Sequence, residues 1–274
     1  MLFVVATPIG NLKDITFRAV ETLKKVDLIL AEDTRTSAVL LKEYSIETKL
    51  QSFHMFNESK KEEEVLALLS SGKEIALISD AGTPGICDPG SKLIKRCRDE
   101  GTKVTTLPGA CAAISALSLY GSDEKFQFIG FLEKKGKKQL LDILYYPGLT
   151  ICYESPHHLL TTLNWMDEVA PDKKIFIARE LTKIYEETLE GTAKELIHHF
   201  QKKKILGEYV LIFRGFEDSF DQDPKKLMKD IEERFGVSSK EALTACAKLL
   251  NRPKRELYDS LHRGGPQSRG HPLN

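Results

Sequence analysis

Short apolar runs alternate with amphipathic stretches through the first half of this chain, and this alternation restricts the possible fold more than any other feature. Four runs, at residues 2–6, 27–31, 74–79 and 103–107, have the length and composition of buried strands. Helical periodicity fills the intervals, and strands that alternate with helices form mostly parallel sheets covered on both faces. The sequence therefore predicts an α/β domain. Its first helix is predicted from an apolar face made by Ile15, Ala19, Val20 and Leu23.

A second α/β series begins after a turn at residues 121–123. It includes a polar strand near residues 185–190 and ends with a strand at 209–213. A polar linker and amphipathic helices follow, in which Ser238 and Glu241 have the spacing of a capping box. The two α/β domains are expected to leave a ligand cleft between them. We predict domains at residues 1–121, 122–217 and 222–263, the last small and helical, and a disordered polar tail at 264–274.

The composition is that of a soluble globular protein, with 41% apolar and 29% charged residues among 274. No apolar run approaches the roughly 20 residues needed to cross a membrane, and the first ten residues are too short and uncharged for a signal peptide. The five cysteines are scattered and never in C-x-x-C spacing, which favours reduced thiols over a zinc site. We predict a cytoplasmic protein that binds neither a metal nor a membrane.

The net charge of zero conceals an uneven distribution. Residues 222–274 carry eleven Lys or Arg against seven Asp or Glu, an excess of four positive charges. Lysine-rich runs also stand at residues 134–138 and 202–204. Basic segments of this kind suit a polyanionic partner such as RNA, whose phosphates the lysines would neutralise. A solvated surface explains the same charges equally well, so both interpretations stay open.

Residues 79–90 form a segment rich in glycine, proline and aspartate directly after an apolar strand. Three more loops of small or backbone-shaping residues follow strands, at residues 7–11, 108–112 and 154–157. Small molecules bind at such strand ends in open α/β sheets, although an ordinary strand-to-helix connection is the alternative. None of the loops is a G-x-G-x-x-G or G-x-x-x-x-G-K-[ST] motif, and no H-E-x-x-H or G-x-S-x-G occurs. Nicotinamide, ATPase, zinc-protease and serine-hydrolase chemistry are therefore disfavoured.

Seven segments, taken in order along the chain, are similar to those of the ribosomal RNA small-subunit methyltransferase I family. The resemblance implies a two-lobed tetrapyrrole-methylase-like fold, S-adenosylmethionine in the cleft between the lobes, and usually a homodimer. It also implies 2′-O-methylation of a cytidine ribose in the 16S RNA of the 30S ribosomal subunit. The segments that carry it are residues 6–12, 31–35, 79–90, 108–113, 153–157, 178–187 and 207–210.

The resemblance and the positions of the loops predict the site residues. Two charged groups that follow strands are the candidates for catalysis: Glu32, Asp33 and Arg35, and then Glu180 and Lys183. Asp80 is expected either to orient the cofactor or to cap the helix that begins near Pro89. The cofactor-binding residues are predicted to be Pro8, Ile9, Gly10, Asp80, Gly82, Thr83, Pro84, Ile86, Cys111, Ala112, Tyr153, Glu154, Glu208 and Tyr209.

Two other functions are compatible with the same motifs. A C-methyltransferase acting on a tetrapyrrole or corrinoid would share the fold, although a small macrocycle needs no basic helical tail. A non-catalytic RNA-binding assembly factor would keep the cofactor cleft without turnover. The leading hypothesis is the RNA ribose methyltransferase, because it accounts for both the loops and the tail.

Overall fold

The computed structural model describes residues 1–133, 136–216 and 223–262 and divides into two compact units. Each unit combines stretches that are separate in the sequence. The continuous domain ranges given in the sequence analysis stay predictions. The first unit contains Met1–Ser122, Ala178–Thr188 and Gly207–Val210, and the second contains Asp123–Ile177, Leu189–Leu206 and Leu211–Asn274.

The first unit is built on a five-stranded sheet with the order β3-β2-β4-β1-β5. All four neighbouring pairs of strands are parallel, as the alternation of strands and helices predicts. Its elements are β1 (Leu2–Val5), α1 (Phe17–Lys25), β2 (Leu28–Ala31), α2 (Thr34–Glu43), β3 (Leu50–Ser52), α3 (Glu58–Ser70), β4 (Ile75–Ile78), α4 (Ser91–Asp99), β5 (Val104–Leu107) and α5 (Ala112–Tyr120).

The two faces of this sheet support separate hydrophobic cores, which confirms the prediction that both faces are covered. In β4, Ile75 and Leu77 face the core that contains residues of α3 and α4, while Ala76 and Ile78 face the core that contains residues of α1 and α2. Alternate side chains of a strand point to opposite faces, so a strand covered on both sides must be apolar throughout. The continuous apolar runs in the sequence reflect this double burial.

Two details of the first unit differ from the sequence prediction. Strand β3 was not predicted, because Leu50–Ser52 is short and contains a single apolar residue. Ile15 lies before α1 rather than in it. The helix begins after Thr16, whose hydroxyl accepts a hydrogen bond from the amide of Ala19 at 3.1 Å. Ile15 keeps an extended backbone and still packs against the core, which explains its helix-like spacing from Ala19.

The second unit is built around a five-stranded sheet with the order β6-β7-β10-β8-β9. The predicted polar strand near residues 185–190 is β9, which begins two residues later because Tyr185 is exposed in the preceding turn. The elements are β6 (Phe126–Phe131), α6 (Gln139–Leu144), β7 (Leu149–Glu154), α7 (Leu159–Val169), β8 (Lys174–Arg179), β9 (Glu187–Thr192), α8 (Ala193–Gln201), β10 (Tyr209–Arg214), α9 (Pro224–Phe235), α10 (Ser239–Leu249) and α11 (Lys254–His262).

The three C-terminal helices are part of the second unit. The capping box predicted at the start of α10 is confirmed, since Ser238 and Glu241 exchange hydrogen bonds. Helix α9 is joined to the sheet region by Tyr145, whose hydroxyl donates to Asp230 at 2.6 Å and whose ring lies 6.3 Å from that of Phe235. None of the helices in the described ranges is both long and apolar enough to span a membrane. Lys134, Lys135, most of the linker and the predicted disordered tail lie outside those ranges.

Candidate active site in the first unit

A cavity of about 840 Å³ opens at the carboxyl ends of the strands in the first unit. Its wall combines the turn after β1, the first turns of α2, the residues directly after β4, and parts of residues 178–188 and 207–210. The volume lies within the range of small-molecule and cofactor sites. The lining residues are Thr7, Pro8, Ile9, Gly10, Leu12, Asp33, Arg35, Thr36, Ser37, Val39, Leu40, Ser79, Asp80, Ala81, Lys183, Gly207 and Glu208.

The turn after β1 is held against the residues after β4 by two backbone hydrogen bonds. The Thr7 amide donates to the Gly82 carbonyl at 2.8 Å, and the Gly82 amide donates to the Thr7 carbonyl at 3.1 Å. The buried Thr7 hydroxyl also donates to the Ser79 carbonyl at 3.0 Å. Gly82 has a left-handed backbone with φ of +79°, which glycine adopts without the strain of a Cβ atom. Two of the four loops singled out in the sequence therefore meet here.

The loop at residues 108–112 contacts this pair of loops. The Thr83 hydroxyl donates to the Ala110 carbonyl at 3.3 Å. A Cβ atom at Gly109 would lie 2.9 Å from the Cβ atom of Ala6, so glycine is required for this loop to pass the end of β1. Cys111 follows as the N-cap of α5. Three of the four predicted loops are thus joined in one unit.

Asp33, Arg35 and Asp80 form a charged group on the cavity wall. The Asp33 carboxylate accepts from the Arg35 amide at 2.8 Å and forms an ion pair with its guanidinium at 2.6 Å. These hydrogen bonds lower the pKa of Asp33 to about 2, since they favour its charged form. Asp80 accepts a hydrogen bond of 2.9 Å from the Asp33 amide. It therefore does not cap α4, whose N-cap is Gly90.

The second predicted charged group lies in residues 178–188. Lys183 lines the cavity and forms an ion pair of 2.9 Å with Glu180. Glu180 has a φ of +50°, which is uncommon for a residue with a side chain. Two glycines make room for this segment. A Cβ atom at Gly10 would lie 2.5 Å from Cγ of Lys183, and one at Gly207 would collide with the Glu180 carboxylate.

Glu32 and Asp88 are acidic residues of the first unit that have raised pKa values and do not line the cavity. Burial is the main cause for both, because it disfavours the charged form. The pKa of Asp88 rises to about 7, with further contributions from the negative charges of Glu32, Glu208 and Asp80. Glu32 is a predicted candidate, but Asp88 is not, since its place in the loop at residues 79–90 was its only signal in the sequence.

The structure brings eight of the predicted site residues into the cavity wall and leaves others outside it. Those in the wall are Pro8, Ile9, Gly10, Asp33, Arg35, Asp80, Lys183 and Glu208. Those outside the wall are Glu32, Gly82, Thr83, Pro84, Ile86, Cys111, Ala112, Tyr153, Glu154, Glu180 and Tyr209.

Two of the predicted cofactor-binding residues, Tyr153 and Glu154, belong to the second unit and are the last two residues of β7. The Tyr153 ring packs edge-on against the rings of Phe128 and Phe131, with centroids 5.0 and 5.4 Å apart. The buried Glu154 carboxylate accepts from the Thr162 hydroxyl at 2.5 Å and from the Ser155 amide at 2.8 Å.

The sequence prediction missed part of the cavity wall, above all the first two turns of α2. Thr36, Ser37, Val39 and Leu40 belong to this helix, and their pattern is that of an ordinary amphipathic helix. Only the position of α2 directly after the charged residues that follow β2 could have indicated them. Within residues 1–133, 136–216 and 223–262, no group of three or more His, Cys, Asp or Glu side chains is placed to hold a metal ion.

Comparison with known proteins assigns this chain to a family. Residues 1–197 match the model of the tetrapyrrole (corrin/porphyrin) methylases. The chain is 43% identical to ribosomal RNA small subunit methyltransferase I of Bacillus subtilis (strain 168), with 96% of this chain and 94% of that protein covered. It is 47% identical to the Thermotoga maritima protein of the same name, with 79% and 99% covered.

Solved structures of more distant proteins share the fold. A cobalt precorrin-4 methyltransferase has a TM-score of 0.61 at 15% identity, with 78% of this chain and 94% of that chain covered. A uroporphyrin-III C-methyltransferase from Thermus thermophilus, complexed with S-adenosyl homocysteine, has a TM-score of 0.58 at 14% identity, with 78% and 96% covered. The curated relatives are similar over nearly their whole length, and this chain therefore belongs to the ribosomal RNA small subunit methyltransferase I family of tetrapyrrole methylases.

Proposed function

We propose that this protein transfers a methyl group from S-adenosylmethionine to the 2′-oxygen of a cytidine ribose in the 16S RNA of the small ribosomal subunit. The observation that carries the proposal is the cavity in the first unit. There, predicted cofactor-binding residues and predicted catalytic residues share one wall. Relatives named as ribosomal RNA small subunit methyltransferases support the choice of RNA as the substrate.

The residues of the first unit fit S-adenosylmethionine in charge and shape. Asp80 and Glu208 bring negative charge to the cavity, which suits a ligand with a sulfonium and an ammonium group. The Ser37 hydroxyl is buried, lines the cavity and has no hydrogen-bond partner within the described part of the chain. Buried polar groups are normally paired, so this hydroxyl is suited to a polar group of a ligand. We assign cofactor binding to the predicted set, with Pro8, Ile9, Gly10, Asp80 and Glu208 in the cavity.

The bound cofactor supplies an electrophilic methyl group, so the protein must align the ribose hydroxyl and remove its proton. The predicted catalytic residues are unequal in this respect. The Asp33 carboxylate is engaged by Arg35, which lowers its pKa and makes it a poor proton acceptor. Glu180 forms an ion pair with Lys183. Arg35 and Lys183 are cations on the cavity wall, suited to the phosphate of the target nucleotide. Glu32, with its raised pKa, is the best base among the five.

A transfer assay tests the function. Small subunits that lack the modification are incubated with the protein and S-adenosylmethionine labelled with tritium in the methyl group. The proposal expects label in 16S RNA, recovered as an alkali-resistant dinucleotide that carries a 2′-O-methyl group. Label in a tetrapyrrole, or cofactor binding without transfer to RNA, would instead support one of the two alternative functions.

We further propose a cytoplasmic homodimer that binds the small subunit partly through the basic residues of the C-terminal helices. Exposed apolar side chains of the first unit, among them Phe17 and Ile184, offer surface for association. Sedimentation of the purified protein over a range of concentrations tests the dimer, because a particle with the mass of one chain throughout would contradict it.

A further inference from the structure

We propose that Met55 and Phe56 form a stacking platform for an unstacked base of the RNA substrate, beside the cavity of the first unit. The inference rests on the proposed function and deepens it, because it assigns residues that position the nucleotide rather than the cofactor. Neither residue is among those predicted from the sequence. Three observations support it: the exposure of the two side chains, the position of their loop, and the cations beside it.

Met55 and Phe56 are adjacent apolar residues that lie almost entirely in solvent. Their exposed fractions are 74% and 92%, and they belong to the loop of residues 53–57, between β3 and α3. The Phe56 ring contacts that of His54 at an interplanar angle of 65°, with centroids 6.1 Å apart, and this contact leaves most of the ring uncovered. An uncovered aromatic ring is the partner on which nucleobases of any sequence stack.

Hydrogen bonds to side chains hold the loop that carries the platform. The Asn57 carboxamide accepts from the His54 amide at 2.8 Å and donates to the Ser52 carbonyl at 3.3 Å. The Lys61 ammonium donates to the same carbonyl at 2.8 Å. The ring of Phe56 is therefore presented on an ordered backbone, and a ligand that stacks on it loses little affinity to the ordering of the loop.

The register of the sheet places this loop next to the cavity. In the pairing of β2 with β3, Ala31 lies opposite Ser52, and the Phe53 amide donates to the Ala31 carbonyl at 2.7 Å. The segments that follow the two strands therefore emerge side by side at the carboxyl edge, where neighbouring strands are about 4.8 Å apart. The segment after β2 contains Asp33 and Arg35 of the cavity wall. The platform thus adjoins the wall that carries this charged group.

Cations beside the platform suit the phosphates of the same RNA strand. The Arg35 side chain is 90% exposed and uses Nε and Nη2 in its ion pair, which leaves Nη1 without a partner among the described residues. Lys60 is exposed, and the Lys61 ammonium lies at the end of β3. On the same helix, Glu63 is paired with Arg96 at 2.7 Å. A ring flanked by cations is the arrangement with which proteins bind single-stranded nucleic acids.

The size of the platform favours a base over a protein partner. A buried aromatic side chain covers about 150–250 Å², so Phe56 with Met55 offers well under the roughly 800 Å² per partner of a standard protein interface. The exposed residues that follow, Ser59 and Lys60, are polar and do not extend the apolar surface. One base, in contrast, needs only one ring.

Transfer to a ribose hydroxyl inside the cavity gives this platform a role. A nucleotide that enters an active site leaves the stack of its neighbours, so a base of the strand loses a stacking partner. RNA-binding proteins replace this partner with an aromatic ring beside the binding groove. Phe56 is placed to do so on the side of the cavity where Arg35 is suited to the phosphate of the target nucleotide.

The first test compares Phe56→Ala with the wild type in binding to small subunits that lack the modification. Loss of one stacked base should weaken binding about 5- to 150-fold. The slope of log affinity against log salt concentration should stay that of the wild type, because the ring carries no charge. Calorimetry should give an unchanged affinity for S-adenosylmethionine, within about threefold, since the cavity wall is intact.

Leu119→Ala is the matched control for this loss of exposed apolar surface. Leu119 is 52% exposed and belongs to α5 of the same unit. Helix α5 begins at the carboxyl edge, and Leu119 lies about 10 Å along it from its first residue. This variant should bind small subunits within about threefold of the wild-type affinity.

A tryptophan at the platform reports stacking directly. Trp165 is the only tryptophan of the chain, so Phe56→Trp combined with Trp165→Phe carries a single fluorophore at the platform. This protein keeps an aromatic ring and should bind small subunits as the wild type does, with quenching of its fluorescence when a base stacks on the indole. Leu119→Trp in the same background should show no quenching.

Two outcomes would overturn the platform alone. One is a Phe56→Ala protein that binds small subunits within about threefold of the wild-type affinity, while the wild type methylates them. The other is a Phe56→Ala protein whose mass in sedimentation differs from that of the wild type, since this would assign the loop to contact with a second copy of the chain. A wild-type protein that labels no RNA would overturn the proposed function and the platform with it, so the two failures are distinguishable.

Discussion

The backbone amide of Asp33 donates a hydrogen bond of 2.9 Å to Oδ1 of Asp80. This contact joins the residue that caps α2 to the residue that follows β4, and both side chains line the cavity. Asp80 therefore fixes the spacing of two walls of the site, in addition to any contact with a ligand. A side chain that connects two loops in this way makes the geometry of the site depend on sequence positions 47 residues apart.

Replacement of Asp80 separates its structural role from its charge. Asp80→Asn keeps an oxygen that can accept the Asp33 amide, whereas Asp80→Ala removes the acceptor. We expect Asp80→Ala to weaken binding of S-adenosylmethionine about tenfold or more, because the cavity wall loses a hydrogen bond as well as a charge. Asp80→Asn should have the smaller effect. Calorimetric titration of both variants checks this, and equal losses would mean that the charge alone matters.

Thr83→Arg should abolish binding of S-adenosylmethionine by filling the predicted cofactor site. Thr83 is half-buried, and its hydroxyl donates to Ala110, so a long cation here would also separate the two loops. Thr83→Ser is the matched control, since it keeps the hydroxyl and should bind the cofactor within about threefold of the wild-type affinity. Unchanged calorimetric affinity in Thr83→Arg would contradict the assignment of this loop to the cofactor.

Gly207→Ala should perturb the site through Glu180. Gly207 has a φ of +81°, and an added Cβ atom would displace the Glu180 carboxylate that pairs with Lys183. Gly101→Ala is the control, because Gly101 has a similar φ of +75° but open space around it. Backbone strain should lower the free energy of unfolding of both variants by about 1–2 kcal/mol. Overpacking should lower that of Gly207→Ala by about 1–3 kcal/mol more. Urea unfolding of the two proteins measures the difference, and equal losses would show that Glu180 moves freely.

Asp88→Asn should stabilise the fold at neutral and alkaline pH. The pKa of Asp88 is about 7 in the folded protein against 3.8 as the ordinary value. Between these values the folded state holds a proton that the unfolded state releases, so the stability conferred by wild-type Asp88 is lost as the pH rises through 7. The variant does not titrate at this position, so its free energy of unfolding should exceed that of the wild type by about 1–2 kcal/mol at pH 8 and by less at pH 5. This figure is reduced for the partial exposure of Asp88. Thermal unfolding at the two pH values checks this, and a variant less stable at pH 8 would contradict it.

The basic C-terminal helices should contribute to RNA binding through their exposed lysines. Lys225 and Lys226 lie exposed at the start of α9. We expect the double substitution Lys225→Glu and Lys226→Glu to weaken binding to small subunits. It should also reduce the slope of log affinity against log salt concentration by the equivalent of about two phosphate contacts. The same reversal at Lys24 and Lys25, exposed at the end of α1, is the control. Filter binding over a range of salt concentrations measures both effects. Equal effects of the two double substitutions would contradict a role of the C-terminal helices in RNA binding.

These point variants are preferable to deletion of residues 222–274. Leu227, Ile231 and Phe235 of α9 are fully buried, and Asp230 accepts the Tyr145 hydroxyl. Removal of the helix would expose this part of the core, at about 1.5–3 kcal/mol for each large apolar side chain. A truncated protein could therefore fail to bind RNA simply because its second unit unfolds.

The periodicity of the sequence was sufficient to predict most of the secondary structure. The apolar run of β4 predicts a strand buried on both faces, because only such a strand needs apolar side chains in succession. Where a segment is short and half exposed, as in β3, the same rule gives no signal. The spacing of Ile15 from Ala19 indicates a helix that includes Ile15, but the N-cap made by Thr16 starts the helix at Phe17, two residues later in the chain. Local hydrogen bonds, rather than hydrophobic spacing, determined that boundary.

The sequence by itself determined the parallel sheet, the loops that follow its strands and the family to which their order belongs. These properties are local, since each depends on the composition of a short segment. Only the tertiary structure decided which loops meet, which acids are paired and which carboxyls have a raised pKa. The pairing of Ala31 with Ile78 places Glu32 beside Ser79, at the start of the loop that carries Asp88, and burial is the main cause of the raised pKa of both acids. Proton affinity depends on solvent exclusion and on charges from distant segments, and the linear sequence specifies neither directly.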